Sequence, residues 1–218
     1  MARKLTRSDF KLPALLIALS LVPTLGGIAR LASIGGATVT ADNARFMAAP
    51  TPVVIHVISA TLYCLLGAFQ FTPAFRFRWP GVHRRAGRVL AVCGLLAGGS
   101  GLWMTVFYPI PMSMQGPLVF GVRLVVAVAM LASIVIAWSS ILRRDVARHE
   151  AFMIRAYALG QGAGTQALVL LPWMLVSGES GGPTRDLLMI LAWTINVAVA
   201  ESIIASRRRA PRLSPHAA

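Results

Sequence analysis

RHEAFMIRAYALGQGAGTQALVLLPWML, Arg148 to Leu175, is the stretch that decides the class of fold. Arg148, His149, Glu150 and Arg155 run into a segment with no charge before Glu179, and Arg143, Arg144 and Asp145 stand just upstream. Since about 20 apolar residues cover about 30 Å of hydrocarbon as a helix, this is a membrane helix with a charged mouth. In helical spacing His149, Met153, Ala156 and Gly160 share one face, while Tyr157, Gln161 and Gly164 lie on an adjacent one. The polar groups form a strip leading inward from the interface, and other helices must pack around it.

Composition carries the same message over the whole chain. Of 218 residues 56% are apolar and only 13% charged, with a net charge of +14 and a mean hydropathy of +0.70. These values predict an all-α, polytopic integral membrane protein rather than a soluble domain. The basic residues sit between apolar runs, where a topology signal accounts for them, so nucleic acid is excluded as a partner. Cys64 and Cys93 lie inside spans without CxxC spacing and read as small packing residues.

Six spans are expected: Leu12 to Arg30, Thr51 to Thr72, Arg88 to Phe107, Leu118 to Leu142, Ala151 to Val176 and Thr184 to Ala205. They form one membrane domain, residues 12–205, between a basic N-terminus (1–11) and a basic tail (206–218). The first span also has the basic lead and nearby small residues of a cleavable signal peptide. The linker from Leu31 to Pro50 is expected as a short surface helix or an irregular lid, and FRFRWPGVHRRAGR after span two as a connection. Seventeen of the 21 Lys and Arg residues fall on the side of the termini, and only Arg30, Arg45, Arg123 and Arg185 on the other. The positive-inside rule then places both termini in the cytoplasm of a bacterial inner membrane.

The two basic loops carry His83 and His149, near the inner ends of spans three and five. Two imidazoles on neighbouring helices at one depth suit a b-type haem, with Arg84, Arg88 and Arg155 near its propionates. The alternative is that these side chains anchor helix ends among lipid headgroups. In span two His56, Ala60, Tyr63, Gly67 and Gln70 form one stripe, read equally as a packing seam or as a substrate or proton path. His56 lies too far from the inner histidines to share an iron with them, and His216 is in the tail, so an outer site would need sulfur from Met104 or Met130. Arg123 enters span four near its outer end, where it either snorkels or faces the bundle and needs a polar or anionic partner. Asn196 and Glu201 put an amide and a carboxylate in span six, the latter within reach of Arg207 for an ion pair, and Gln161, Thr165 and Gln166 add hydrogen-bonding groups in span five.

LGAFQF (Leu66 to Phe71), HRRAGR (His83 to Arg88), RHEAFMIRAYAL (Arg148 to Leu159) and WTINVAVAE (Trp193 to Glu201), with His56 upstream, resemble the predicted bacterial membrane proteins grouped as DUF2306. The resemblance covers about Thr51 to Ile204. The family pattern falls here on His56, Gln70, His83, Arg84, Gly87, Arg88, His149, Met153, Arg155, Tyr157, Asn196 and Glu201. Relatives often carry an arginine after the threonine of span five, where this chain has Gln166. The resemblance implies the membrane architecture and this set of residues, and it carries no activity with it.

HExxH, P-loop and Rossmann patterns are missing, and the seven acidic residues are dispersed. Three classes of function remain. One is an oxidoreductase or electron-transfer subunit with a haem at His83 and His149 and a quinone near Tyr157 and Gln161. Another is a transporter or binding protein for a small hydrophobic substrate, with His56, Tyr63, Gln70, Arg123, Asn196 and Glu201 on its path. The third is an accessory bundle held in a larger membrane complex. The six-span topology makes a direct prediction: a periplasmic reporter enzyme fused after Arg209 is inactive, and activity there overturns the topology.

Overall fold

A computed structural model describes residues 6–36, 38–40, 43–179 and 181–209, and all regular structure among them is helical. A 3-10 turn, Arg7–Phe10, leads into α1 (Lys11–Gly36); α2 is the short helix Ala44–Ala48, and α3 spans Pro50–Gly67. After a second 3-10 turn, Ala68–Phe71, come α4 (Pro73–Arg78), α5 (Pro80–Phe107), α6 (Pro117–Leu142), α7 (Val146–Gly160), α8 (Gly162–Ser177) and α9 (Pro183–Arg209). The tail beyond Arg209, with His216, lies outside the described residues. Five helical stretches are long and apolar enough to cross a membrane: Arg7–Ile34, Pro50–Phe71, Pro80–Phe107, Pro117–Leu142 and Pro183–Arg209. The protein is an all-α, polytopic membrane protein.

Local chemistry sets the helix boundaries. α3, α4, α5, α6 and α9 all begin with proline, whose missing N–H is no loss in a first turn. Asp145 caps α7 by accepting the Arg148 backbone N–H at 3.0 Å. Gly178, at φ +70°, ends α8 and donates its N–H to the Met174 carbonyl at 3.0 Å. Two expectations are corrected. The connection after span two is mostly helical, so His83, Arg84 and Arg88 ride on the first turns of α5. The segment expected as one fifth span is two helices, α7 and α8, interrupted at Gln161.

That interruption organises the bundle. α7 packs against α3, α5, α6 and α9 and occupies the centre of the half that carries Arg84, Arg88, Arg148 and Arg207, hereafter the basic end. α8 instead packs against α1 and α9, in the wall of the opposite half. Apolar side chains such as Leu15, Val89, Val125 and Leu168 point outward, as lipid-facing residues must.

Tyr63, Leu90, Cys93, Met130, Ile134, Ala156, Tyr157 and Leu159 form the main core cluster. The Tyr63 ring lies in a slot between Gly94 of α5 and Gly160 of α7. A Cβ on Gly94 would stand 2.7 Å from Tyr63 Cε2 and 2.7 Å from Ile134 Cδ1, and one on Gly160 2.9 Å from Tyr63 Cε1. A Cβ on Gly99 would meet nothing within 4 Å. Overpacking a tight core costs about 1–3 kcal/mol. Gly94→Val is therefore expected to lower the thermal midpoint of the detergent-purified protein, while Gly99→Ala leaves it unchanged; equal behaviour of the two variants contradicts the slot.

Candidate functional site

At the break the Gln161 N–H still closes the last turn of α7 on the Tyr157 carbonyl at 2.9 Å. Gly164 then donates to the Gln161 carbonyl at 3.0 Å, a three-residue step that releases the Gly160 carbonyl from the helical pattern. In hydrocarbon, released backbone groups must find donors elsewhere in the protein. Asn196 of α9 supplies one, giving Nδ2 to the Ala158 carbonyl at 3.0 Å while its Oδ1 accepts the Thr165 hydroxyl at 2.7 Å. The Cys64 thiol of α3, a weak donor, points to the Gly160 carbonyl at 3.6 Å. The buried Gln161 side chain completes the clasp: Ser20 of α1 donates to its Oε1 at 3.0 Å, and its Nε2 donates to the Tyr157 hydroxyl at 2.8 Å. Tyr157 in turn donates to the Cys64 carbonyl at 2.6 Å.

Beyond the break, with α8 in the wall, the centre of the bundle holds a cavity of about 520 Å³. Val57, Ala60, Val126, Met130 and Met189 supply much of its wall, and His56, Tyr63, Gln161 and Gln166 its buried polar groups. His56 Nδ1 lies 3.0 Å from the Ala97 carbonyl, which can only accept, so Nδ1 carries a proton and is held by the backbone of α5. Tyr63 is 2% exposed, yet its hydroxyl has no partner among the described residues, and neither has Gln166 Nε2. Native proteins rarely leave buried polar atoms unpaired without a reason.

The far end of the cavity is cationic. Arg123 of α6 donates to Gln115 Oε1 and places Nη2 3.9 Å from Met189 Sδ. Arg185, at the start of α9, donates to the Met114 carbonyl at 2.7 Å and lies 3.8 Å from Asp186 Oδ1. Asp186 Oδ2 accepts the Gly116 N–H at 2.8 Å, tying α9 to the start of α6. Arg45 and Phe46 of α2 also line the cavity, and the Arg30 and Arg45 guanidinium groups each lie 4.6 Å from the Phe46 ring centroid. Tyr108 meets Phe46 edge-on at 5.4 Å and donates its hydroxyl to the Ala49 carbonyl at 2.6 Å. Burial pushes the Tyr108 phenol above its usual range, which keeps it protonated as that donor.

The basic end holds a different group. His83 and His149 stand within electrostatic range of each other. His149 Nδ1 lies 2.9 Å from the Ala137 carbonyl, leaving Nε2 free, and His83 Nδ1 is buried without a partner among the described residues. Arg84 and Arg88 are exposed on α5, with Arg88 Nε 3.4 Å from the Arg84 carbonyl. Arg155 is engaged with Glu201 through two hydrogen bonds, 2.6 and 2.8 Å. Arg207, the partner expected for Glu201, pairs with Glu150, which also lies 3.7 Å from Arg76. Gln70 sits over Gly87 of α5.

The residues singled out in the sequence thus fall into three places. His56, Tyr63, Gln161 and Arg123 line the cavity; Tyr157 and Asn196 hold the break beside it; Gln70, His83, Arg84, Arg88, His149, Arg155 and Glu201 lie at the basic end. Sequence reading passed over Ser20, Phe46, Tyr108 and Asp186, and used Arg185 only to count charge. Ser20 gives no signal in an apolar run, whereas Arg185-Asp186 after a proline, opposite Arg123 at the same end, is a pattern that charge pairing could have found.

Comparison with curated proteins and with solved structures gives no match. The family model described as "Predicted membrane protein (DUF2306)" matches residues 53–204, a region holding α4 to α8 and nearly all of α3 and α9. The chain, which carries the broken helix and most of the cavity wall inside that match, belongs to the DUF2306 family of predicted membrane proteins.

Proposed function

We propose that the protein is a small-molecule carrier or binding protein of the bacterial cytoplasmic membrane, taking its ligand into the cavity beyond Gln161. In this reading α7 and α8 make a sixth crossing, the basic end faces the cytoplasm, and the cavity opens in the outer half of the bilayer. The observation that supports it most is a largely apolar cavity of about 520 Å³ containing the buried, unpartnered Tyr63 hydroxyl. Ligand sites have this make-up, apolar walls with a few polar groups that fix orientation. A helix interrupted near the middle of the bilayer, with its backbone satisfied by other helices, is the usual companion of such sites in carriers.

Ala60→Trp fills the cavity, whereas Tyr63→Phe keeps its shape and removes one donor. Extraction and mass spectrometry of the purified protein are expected to find a small molecule that Ala60→Trp expels. Tyr63→Phe should weaken its retention by roughly fivefold, the equivalent of about 1 kcal/mol for one hydrogen bond. No bound molecule in the parent protein, or equal retention by Ala60→Trp, counts against the reading.

A second reading, a b-type haem held by His83 and His149 in an electron-transfer protein, is favoured by one observation. His149 gives its Nδ1 proton to a backbone carbonyl, as ligating histidines do, and His83 has an unsatisfied ring nitrogen nearby. Of the arginines expected at the propionates, Arg155 is already committed to Glu201, which leaves Arg84 and Arg88. If this reading holds, the purified protein is coloured and either His83→Ala or His149→Ala abolishes the reduced-minus-oxidised band. Unchanged spectra in both variants defeat the ligand assignment.

A further inference from the structure

We infer that the ligand is an amphiphilic anion, an apolar body with one carboxylate or phosphate group, whose head lies between Arg123 and Arg185 and whose body extends toward Tyr63. The inference rests on the cavity being the ligand site, as proposed above, and adds the ligand's charge.

The charge inventory of the wall carries it. Arg123 and Arg185 line the cavity, and no aspartate or glutamate does among the described residues. The nearest acid, Asp186, gives one oxygen to the Gly116 N–H and lies 3.8 Å from Arg185 through the other. Arg123 makes its direct contacts with neutral acceptors, an amide oxygen and a thioether, and shares the Asp186 carboxylate with Arg185 only at electrostatic range. This contrasts with the basic end, where Arg155 has its own carboxylate and Arg76 and Arg207 share Glu150. Two half-buried guanidinium groups beside one carboxylate leave a positive charge without its own carboxylate, and carboxylate or phosphate is the group whose geometry completes it. The rest of the wall argues against a small inorganic anion. The same wall carries Ala60, Val126, Met130 and Met189, surfaces that a hydrated ion gains nothing from touching. One molecule satisfies both halves only if it is charged at one end and apolar at the other.

The test compares probes of equal chain length in an uncharged detergent: dodecyl phosphate, dodecanoate, dodecanol and dodecyltrimethylammonium, with inorganic phosphate alone as a fifth. Thermal unfolding and native mass spectrometry report binding. The two anions are expected to stabilise the protein and to bind about tenfold or more tightly than the alcohol, as charge-assisted contacts do. The cation and inorganic phosphate should give no shift. Arg123→Gln and Arg185→Gln should each erase most of the preference for anion over alcohol, while Arg123→Lys, which keeps the charge, retains a good part of it. Equal response to anion and alcohol, or an unchanged preference in both glutamine variants, overturns the inference. If the alcohol binds as well as the anions and Ala60→Trp abolishes both, the cavity remains the ligand site and only its charge preference is lost. If Ala60→Trp leaves every probe unaffected, the cavity reading falls with it.

Discussion

A peptide carbonyl inside a membrane bundle has to be given a donor, and at Gln161 this chain releases backbone groups from the helical pattern. The amide of Asn196 and the thiol of Cys64 meet that demand, with Ser20, Tyr157 and Thr165 holding Gln161 and Asn196 in place. Because these donors come from α1, α3 and α9, the break binds the helices together more specifically than apolar packing can, since lipid competes for every apolar surface. The direction of α8 follows from it, and the cavity follows from the direction of α8.

The distribution of a few acids gives the two ends of the bundle different chemistry. At the basic end Glu150 and Glu201 neutralise arginines from three helices, so charge there serves to join α4, α7 and α9. At the other end Asp186 is turned toward the backbone of Gly116 and anchors the start of α6. Its other oxygen lies 3.8 Å from Arg185, so one carboxylate serves two arginines, both of which line the cavity. Placement rather than number of charges distinguishes the two ends.

Much of this was legible in the chain. Composition and apolar runs announce a helical membrane protein, and the prolines at the starts of five helices mark boundaries to within a few residues. Of the span-two stripe, His56, Ala60 and Tyr63 share the cavity wall, because helical periodicity holds along α3, while Gln70, in the 3-10 turn beyond it, sits at the basic end. The same rule failed in span five, where Gly160, Gln161 and Gly162 hide an interruption: glycines are common in membrane helices, and the open turn shows only in the backbone and in the bonds from Asn196 and Cys64. Glu201 was assigned the nearer Arg207, but Arg155 reaches it from another helix, a pairing that sequence distance cannot rank. The residues missed altogether matter through contacts distant in sequence, Ser20 above all, whose bond to Gln161 spans 141 positions of chain.

The division of the bundle into a filled and a hollow half also has a mechanical side. α7 is packed on four neighbours, whereas α8 buries little beyond Gly162, Gly164 and Thr165. Dense interiors have low compressibility, and void volume is what pressure removes. The filled half is therefore a stiff base and the hollow half a compliant rim.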